Sequence, residues 1–290
     1  MTHLRVGARD LGLAAAVLGW IGLVLLVDAV PALDGVEAGR QVVLGAATWL
    51  VLAGLLRRET PLVRAQTLVV VALATCVEYT FSPLLQAYVY RIGTVPLFVP
   101  PGHGLVYLAA LALGRSVLVR AWARPLVVLT VLGGGAWAAS GVLGLGSGRH
   151  DVLGAFWFAC LLAFLVWGPN RLLYVGAFAV VSYLELVGTA LHVWAWAPSD
   201  PVLHVIGQGN PPSGAAGGYG WFDLYALLLA PRLLSLAGSL LSVPARISRT
   251  SSWRRPLVTT ALPPPGPSVP SSEVNRPPAS TTTGTSAAMS

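Results

Sequence analysis

Runs of about twenty apolar residues, separated by short polar links, set the tightest limit on how this chain folds. A run of that length spans the hydrocarbon core of a bilayer as a helix. Inside hydrocarbon every backbone N–H and C=O must find an internal partner, which an isolated helix provides. Composition agrees: 55% of the 290 residues are hydrophobic and 10% are charged, against about 25% charged in soluble domains. The fold class expected is all-α, a polytopic bundle of about eight helices. The spans run near residues 11–30, 41–56, 63–81, 101–118, 125–145, 152–167, 172–196 and 221–243. Residues 1–245 form this membrane domain. Residues 246–290 are basic and then rich in Pro, Ser and Thr, a composition that cannot offset its ordering entropy and predicts a disordered tail.

All cationic side chains are arginine, and the formal net charge is +7. Their placement argues for membrane topology and against a nucleic-acid partner. With the N-terminus inside, inner segments hold Arg5, Arg9, Arg57, Arg58, Arg64, Arg115, Arg120, Arg124 and Arg171, and then Arg246 onward. Outer loops hold Arg40, Arg91 and Arg149. This follows the positive-inside rule for eight spans with both termini cytoplasmic in the inner membrane. Arg5 and Arg9 precede the first run with no clear small-residue cleavage site, so a retained first helix is expected.

That topology turns sequence position into depth. Glu185 falls past the middle of the seventh span and His192 near its outer end. Glu78 falls in the outer part of the third span. His103 and Asp223 fall in the first turns of the fourth and eighth. Glu185, Gly188, Thr189 and His192 share one helical stripe. A charged residue at the bilayer centre costs about 2.5–3.5 kcal/mol even on the lenient insertion scale, and such residues are functional by default. A polar cavity in the outer half of the membrane follows. Glu185, Glu78, His103 and Asp223 are its candidate catalytic groups, with Arg232 as a possible ion-pair partner for Glu185. Each also has a plainer reading: a wetted interfacial residue, a helix cap, or a packing ion pair.

Residues 207–220 carry six glycines and no charge. They form either a slack surface link or a loop folded back over the cavity, with Asn210 as a polar contact. Trp194, Trp196 and Trp221 suit the membrane interface, where indoles gather. The chain holds no HExxH, nucleophile elbow, paired CxxC or P-loop, so no metal or cofactor is assigned. Cys76 and Cys160 read as small buried hydrophobes.

Two stretches, Tyr88-Val89-Tyr90-Arg91-Ile92-Gly93 through Val95-Pro96 to His103, and Glu185 through Trp194-Ala195-Trp196 and Asn210 to Trp221-Phe222-Asp223, resemble an uncharacterised family of bacterial multi-spanning proteins. More loosely, they are similar to carotenoid-biosynthesis membrane proteins of the carotenoid hydratase type. The resemblance covers about a third of the chain. It implies cofactor-free, acid-catalysed addition of water to an isoprenoid end, or a related isomerisation. Glu185 or Glu78 would donate the proton, and His103 or Asp223 would hold the water. His192, Asn210, Trp194, Trp196, Arg232 and Tyr90 would contact a hydrophobic small-molecule substrate drawn from the membrane lipids. A non-catalytic scaffold and a small-molecule transporter are the other classes these residues allow.

Overall fold

The computed structural model describes residues 2–145 and 148–247. The expected tail beyond 247 lies outside the described residues. Contacts divide the chain into a unit of 1–243 and a second of 244–290. Of the second, only 244–247 are described, as the last turn of a helix.

The chain is mostly helical. In order it forms α1 (Thr2–Ala29), α2 (Asp34–Leu56), α3 (Pro61–Tyr79), a π turn (Thr80–Leu84), β1 (Tyr88–Tyr90), α4 (Val99–Arg115), α5 (Val117–Ala121), α6 (Ala123–Val142), α7 (Val152–Trp167), α8 (Arg171–Ala190), β2 (Trp194–Trp196) and α9 (Ala215–Ile247). Helix starts follow local chemistry. Thr60 Oγ1 accepts the Val63 N–H with Pro61 in the first turn, Asp151 accepts from Gly154, and Asn170 accepts from Leu173. Each satisfies one N–H that the helix itself leaves unpaired.

Six helical segments among the described residues are long and apolar enough to cross a membrane: Arg9–Ala29, Gly35–Leu56, Pro61–Leu84, Ala123–Val142, Arg171–Ala190 and Ala215–Ser239. Their outward faces expose Leu23, Leu26, Leu50, Leu129 and Leu132, as lipid contact requires. The chain is a multi-pass membrane protein by these spans. Eight were expected from the sequence. The other two runs make shorter helices: α4 has 17 residues and α7 has 16, about 24–26 Å each at 1.5 Å per residue. The part of the fourth run before Val99 is turn rather than helix. The seventh run also ends early, at Ala190, and its Trp194–Trp196 segment is a strand. The eighth begins at Ala215, six residues before the expected start.

α4 is the buried centre of the bundle, packed against α8, α1, α3 and α2. Leu105, Tyr107, Leu108, Ala109, Ala110 and Ala112 are all buried. Small residues bring α8 close: a Cβ on Gly176 would collide with the Ala110 backbone, and one on Gly114 would sit 2.9 Å from the Leu172 carbonyl. Close backbone approach is how membrane helices gain packing where lipid is as apolar as the partner.

Ion-pair networks tie both ends of the bundle. At one end the Arg115 guanidinium makes a two-pronged bond to Glu59 (2.8 and 2.7 Å) and another to Asp10 (2.8 Å). At the other, Arg91 donates to Glu37 (2.6 Å) and to the Asp28 carbonyl (2.6 Å), while Gln41 donates to Asp28 Oδ1 (2.9 Å). The sequence presents Arg91 and Arg115 as loop charges; in the fold each clamps carboxylates from distant helices. Cys76 is exposed on α3, contrary to the buried reading.

Candidate functional site

The site is built around a two-stranded sheet. β1 and β2 pair antiparallel with Tyr88 opposite Trp196, Val89 opposite Ala195 and Tyr90 opposite Trp194. Side chains alternate across a strand. The patterns Tyr-Val-Tyr and Trp-Ala-Trp therefore put four aromatic donors on one face, and Val89 is left exposed on the other. The Tyr88 and Trp196 rings lie 4.6 Å apart, and Tyr90 and Trp194 lie 6.2 Å apart.

Each aromatic pair on this face serves one carboxylate. The Tyr88 and Tyr90 hydroxyls donate to Glu78 Oε2 at 2.9 and 2.8 Å. The Trp194 and Trp196 indoles donate to Glu185 Oε2 at 3.1 and 3.0 Å. Glu78 Oε1 meets His103 Nε2 at 2.8 Å. Both carboxyl groups are buried. Burial, and after it the neighbouring Glu78 charge, hold the Tyr88 and Tyr90 phenols well above their ordinary range, so both stay protonated donors.

The groups share a cavity of about 290 Å³. Its walls are largely apolar, with Ile21, Leu25, Phe98 and Leu184 among them, and Trp20 and Tyr219 add aromatic faces. The His103 ring stacks on Tyr219 at 5.0 Å.

The Gly-rich segment folds back over this cavity. Asp151 holds it there: Oδ1 accepts from Gly209 N (2.7 Å) and Oδ2 from Ser213 N (2.7 Å), beside the helix-capping bond to Gly154 (3.0 Å). The Gln208 amide donates to the carbonyls of Ala87 (3.0 Å) and Ala197 (3.3 Å). Gln208 and Pro212 line the cavity. The neighbouring loop closes on Asp200, whose carboxylate accepts the N–H groups of Val202, Leu203, His204, Val205 and Ile206. Those bonds, led by Ile206, hold the Asp200 carboxyl well below the usual carboxylate range.

Six sequence candidates converge on the cavity: Glu78, Tyr90, His103, Glu185, Trp194 and Trp196. Four stand elsewhere. Asn210 Oδ1 accepts the Trp196 backbone N–H (3.0 Å), bracing the strand. His192 is exposed at φ 56°, where it turns the chain out of α8, so the helical stripe ends before it. Arg232 is exposed on α9, and Glu185 is held by indoles instead of an arginine. Asp223 is buried nine residues into α9, not in its first turn, because α9 starts earlier than expected. Sequence reasoning assigns no site role to Tyr88, Asp151 or Gln208. Tyr88 carries a signal in the two-residue spacing to Tyr90; the other two depend on long-range contacts.

Comparison with protein-family models, with curated proteins and with solved structures finds no match. Fold and site together define a class: a helical multi-pass membrane protein with an apolar cavity that holds two buried carboxyl groups.

Proposed function

We propose that this protein is an integral membrane enzyme that adds water to, or isomerises, an alkene at the end of an isoprenoid or carotenoid-like lipid. The observation that carries this reading is the unequal treatment of two carboxyl groups in one apolar cavity. Glu78 has both oxygens engaged, by two phenols and His103. Glu185 receives both indole N–H groups on Oε2. An indole N–H can only donate, so Oε1 is the oxygen placed to carry and deliver a proton.

The chemistry then runs without a cofactor. Glu185 protonates the alkene, giving a carbocation. The faces of Trp20, Tyr88 and Trp196 stabilise that charge through their π systems. Water attacks the cation while His103, held by Glu78, takes the proton that leaves it. Glu185 regains a proton as His103 gives one up, so the sum is alkene plus water to alcohol. Loss of a proton from a neighbouring carbon to the Glu185 carboxylate instead gives the isomer and restores the acid. At about 290 Å³ the cavity is at the small end of ligand sites, which run about 300–1,000 Å³. That size suits the end of a long lipid, with the remainder lying among the helices or in the bilayer.

The topology we infer has eight membrane-embedded helices, α4 and α7 being the short ones, in the inner membrane. Both termini are cytoplasmic and the hairpin faces outward. Support comes from Arg57, Arg58, Arg64, Arg115, Arg120, Arg124 and Arg171 against the sparser Arg40, Arg91 and Arg149.

The test compares lipid and pigment extracts by mass spectrometry from a strain lacking the gene, one with it restored, and one restored with Glu185→Gln. A lipid that vanishes, returns and stays absent with Glu185→Gln supports the reading. Three matching extracts overturn it.

A further inference from the structure

Below the cavity, four buried polar atoms have no hydrogen-bond partner: His103 Nδ1, Tyr107 OH, Tyr174 OH and Asp223 Oδ2. They do not lie at random. His103 and Tyr107 are one turn apart on α4, and Tyr219 and Asp223 are one turn apart on α9. The His103 ring stacks on Tyr219, so Tyr107 and Asp223 form the next layer down, within electrostatic reach of each other. Tyr174 sits in the first turn of α8, where its ring stacks on Phe164 at 5.1 Å. Phe164 in turn meets Trp221 at 5.3 Å, two residues from Asp223. Tyr174 is within electrostatic reach of both Asp223 and Tyr107. The series therefore descends from the cavity to the Arg171 end of the bundle.

All four residues are at least nine-tenths buried: His103 is 6% exposed, Tyr107 1%, Tyr174 0% and Asp223 4%. Buried polar groups are satisfied by protein or by ordered water. A buried water makes 2–4 hydrogen bonds and joins groups too far apart to bond directly. Two hydroxyls, a carboxyl group and a ring nitrogen supply both donors and acceptors for such bridges. Carboxyl and imidazole groups in series inside membrane helices mark proton relays. The charged or titratable groups around the series are Glu78 and His103 above, Tyr219 beside His103, and Arg115 within reach of Tyr107.

We propose that Tyr107, Tyr174 and Asp223 bind a string of water molecules linking His103 to the Arg171 end of the bundle, and that this string carries protons. A proton entering beside Tyr174 moves through water and Asp223 to His103 Nδ1. His103 Nε2 then passes one to Glu78 Oε1, and no electrons change hands. In the opposite direction the same string drains the proton that His103 takes from attacking water. This use of the string rests on the proposed role of the Glu78–His103 pair; the presence of water does not.

Radiolytic hydroxyl-radical labelling tests it on the full chain in lipid nanodiscs, with no substrate. Bound water generates radicals in place, so Tyr107 and Tyr174 should be oxidised far faster, after correction for intrinsic reactivity, than Phe158 and Leu161, which are also buried in the apolar core. Asp223→Leu should lower the labelling of both tyrosines to the Phe158 level while exposed Tyr79 is labelled as before. If Asp223→Leu does not fold, Tyr107→Phe serves, with the drop read at Tyr174. Labelling of the two tyrosines no faster than Phe158 in the wild type overturns the proposal. So does fast labelling that the variants leave unchanged. Failure here leaves the Glu185→Gln comparison standing, and failure of that comparison leaves this result standing.

Discussion

Tyr88 and Trp196 face each other across the hairpin with their rings 4.6 Å apart, yet they serve different acids: the phenol donates to Glu78 and the indole to Glu185. One cross-strand pair thus fixes the spacing of both carboxyl groups. Trp196→Phe keeps an aromatic ring at this position, though a smaller one, and removes the donor. It should cost at least about 0.5–1.5 kcal/mol of stability, the net range for one intramolecular hydrogen bond. Thermal unfolding in detergent reads it, and an unchanged midpoint would contradict the bond.

Gly188 lies under the Trp194 indole, and a Cβ there would collide with the ring. Gly188→Ala should push Trp194 off Glu185. Overpacking of this kind costs about 1–3 kcal/mol. Tryptophan fluorescence should shift with the loss of stability; a wild-type spectrum and midpoint would show that the indole has room to spare.

Asp151→Ala removes the acceptor for Gly154, Gly209 and Ser213 N–H groups at once. Each unpaired buried N–H costs about 1–3 kcal/mol, so the segment over the cavity should open before the bundle unfolds. Amide exchange at residues 207–214 should rise selectively. Equal protection in variant and wild type would show that other contacts hold the segment.

Asp200 gives the pH dependence. Its folded-state carboxyl lies below the ordinary value, because the N–H groups led by Ile206 stabilise the anion. The stability it contributes is complete above the ordinary carboxylate value, about 4. It is lost as pH falls from there toward the lower folded value. Amides of Val202 to Ile206, after correction for intrinsic rates, should lose protection over that acid range. Asp200→Asn should remove the pH dependence; if it persists, another group is responsible.

His192 holds a left-handed conformation that costs an L residue about 1–2 kcal/mol. His192→Gly should therefore be neutral or stabilising, after the glycine's own entropy cost, while His192→Val should destabilise. Equal loss from both would point to a role for the imidazole.

The helices were legible because apolar runs mark spans directly. Glu78, His103 and Glu185 stood out for the same reason: each interrupts such a run. The hairpin was not legible. Three residues are too short for a strand pattern, and Trp194-Ala195-Trp196 simply extends the run before it. Asp223 was placed too shallow because Ala215–Gly220 is rich in glycine, a poor helix former, yet it packs as helix against α7. Asp10, Glu59 and Arg115 are separated by up to 105 residues, and no local pattern announces their meeting.

Protonation of a lipid alkene by Glu185 is tested by following the oxygen. Membranes carrying the wild-type chain or Glu185→Gln would be incubated with an isoprenoid extract in ¹⁸O-labelled water. The wild type should give an ¹⁸O-bearing isoprenoid alcohol and Glu185→Gln none. Equal label from both, or label in no lipid from either alongside no isomerised product, would contradict it.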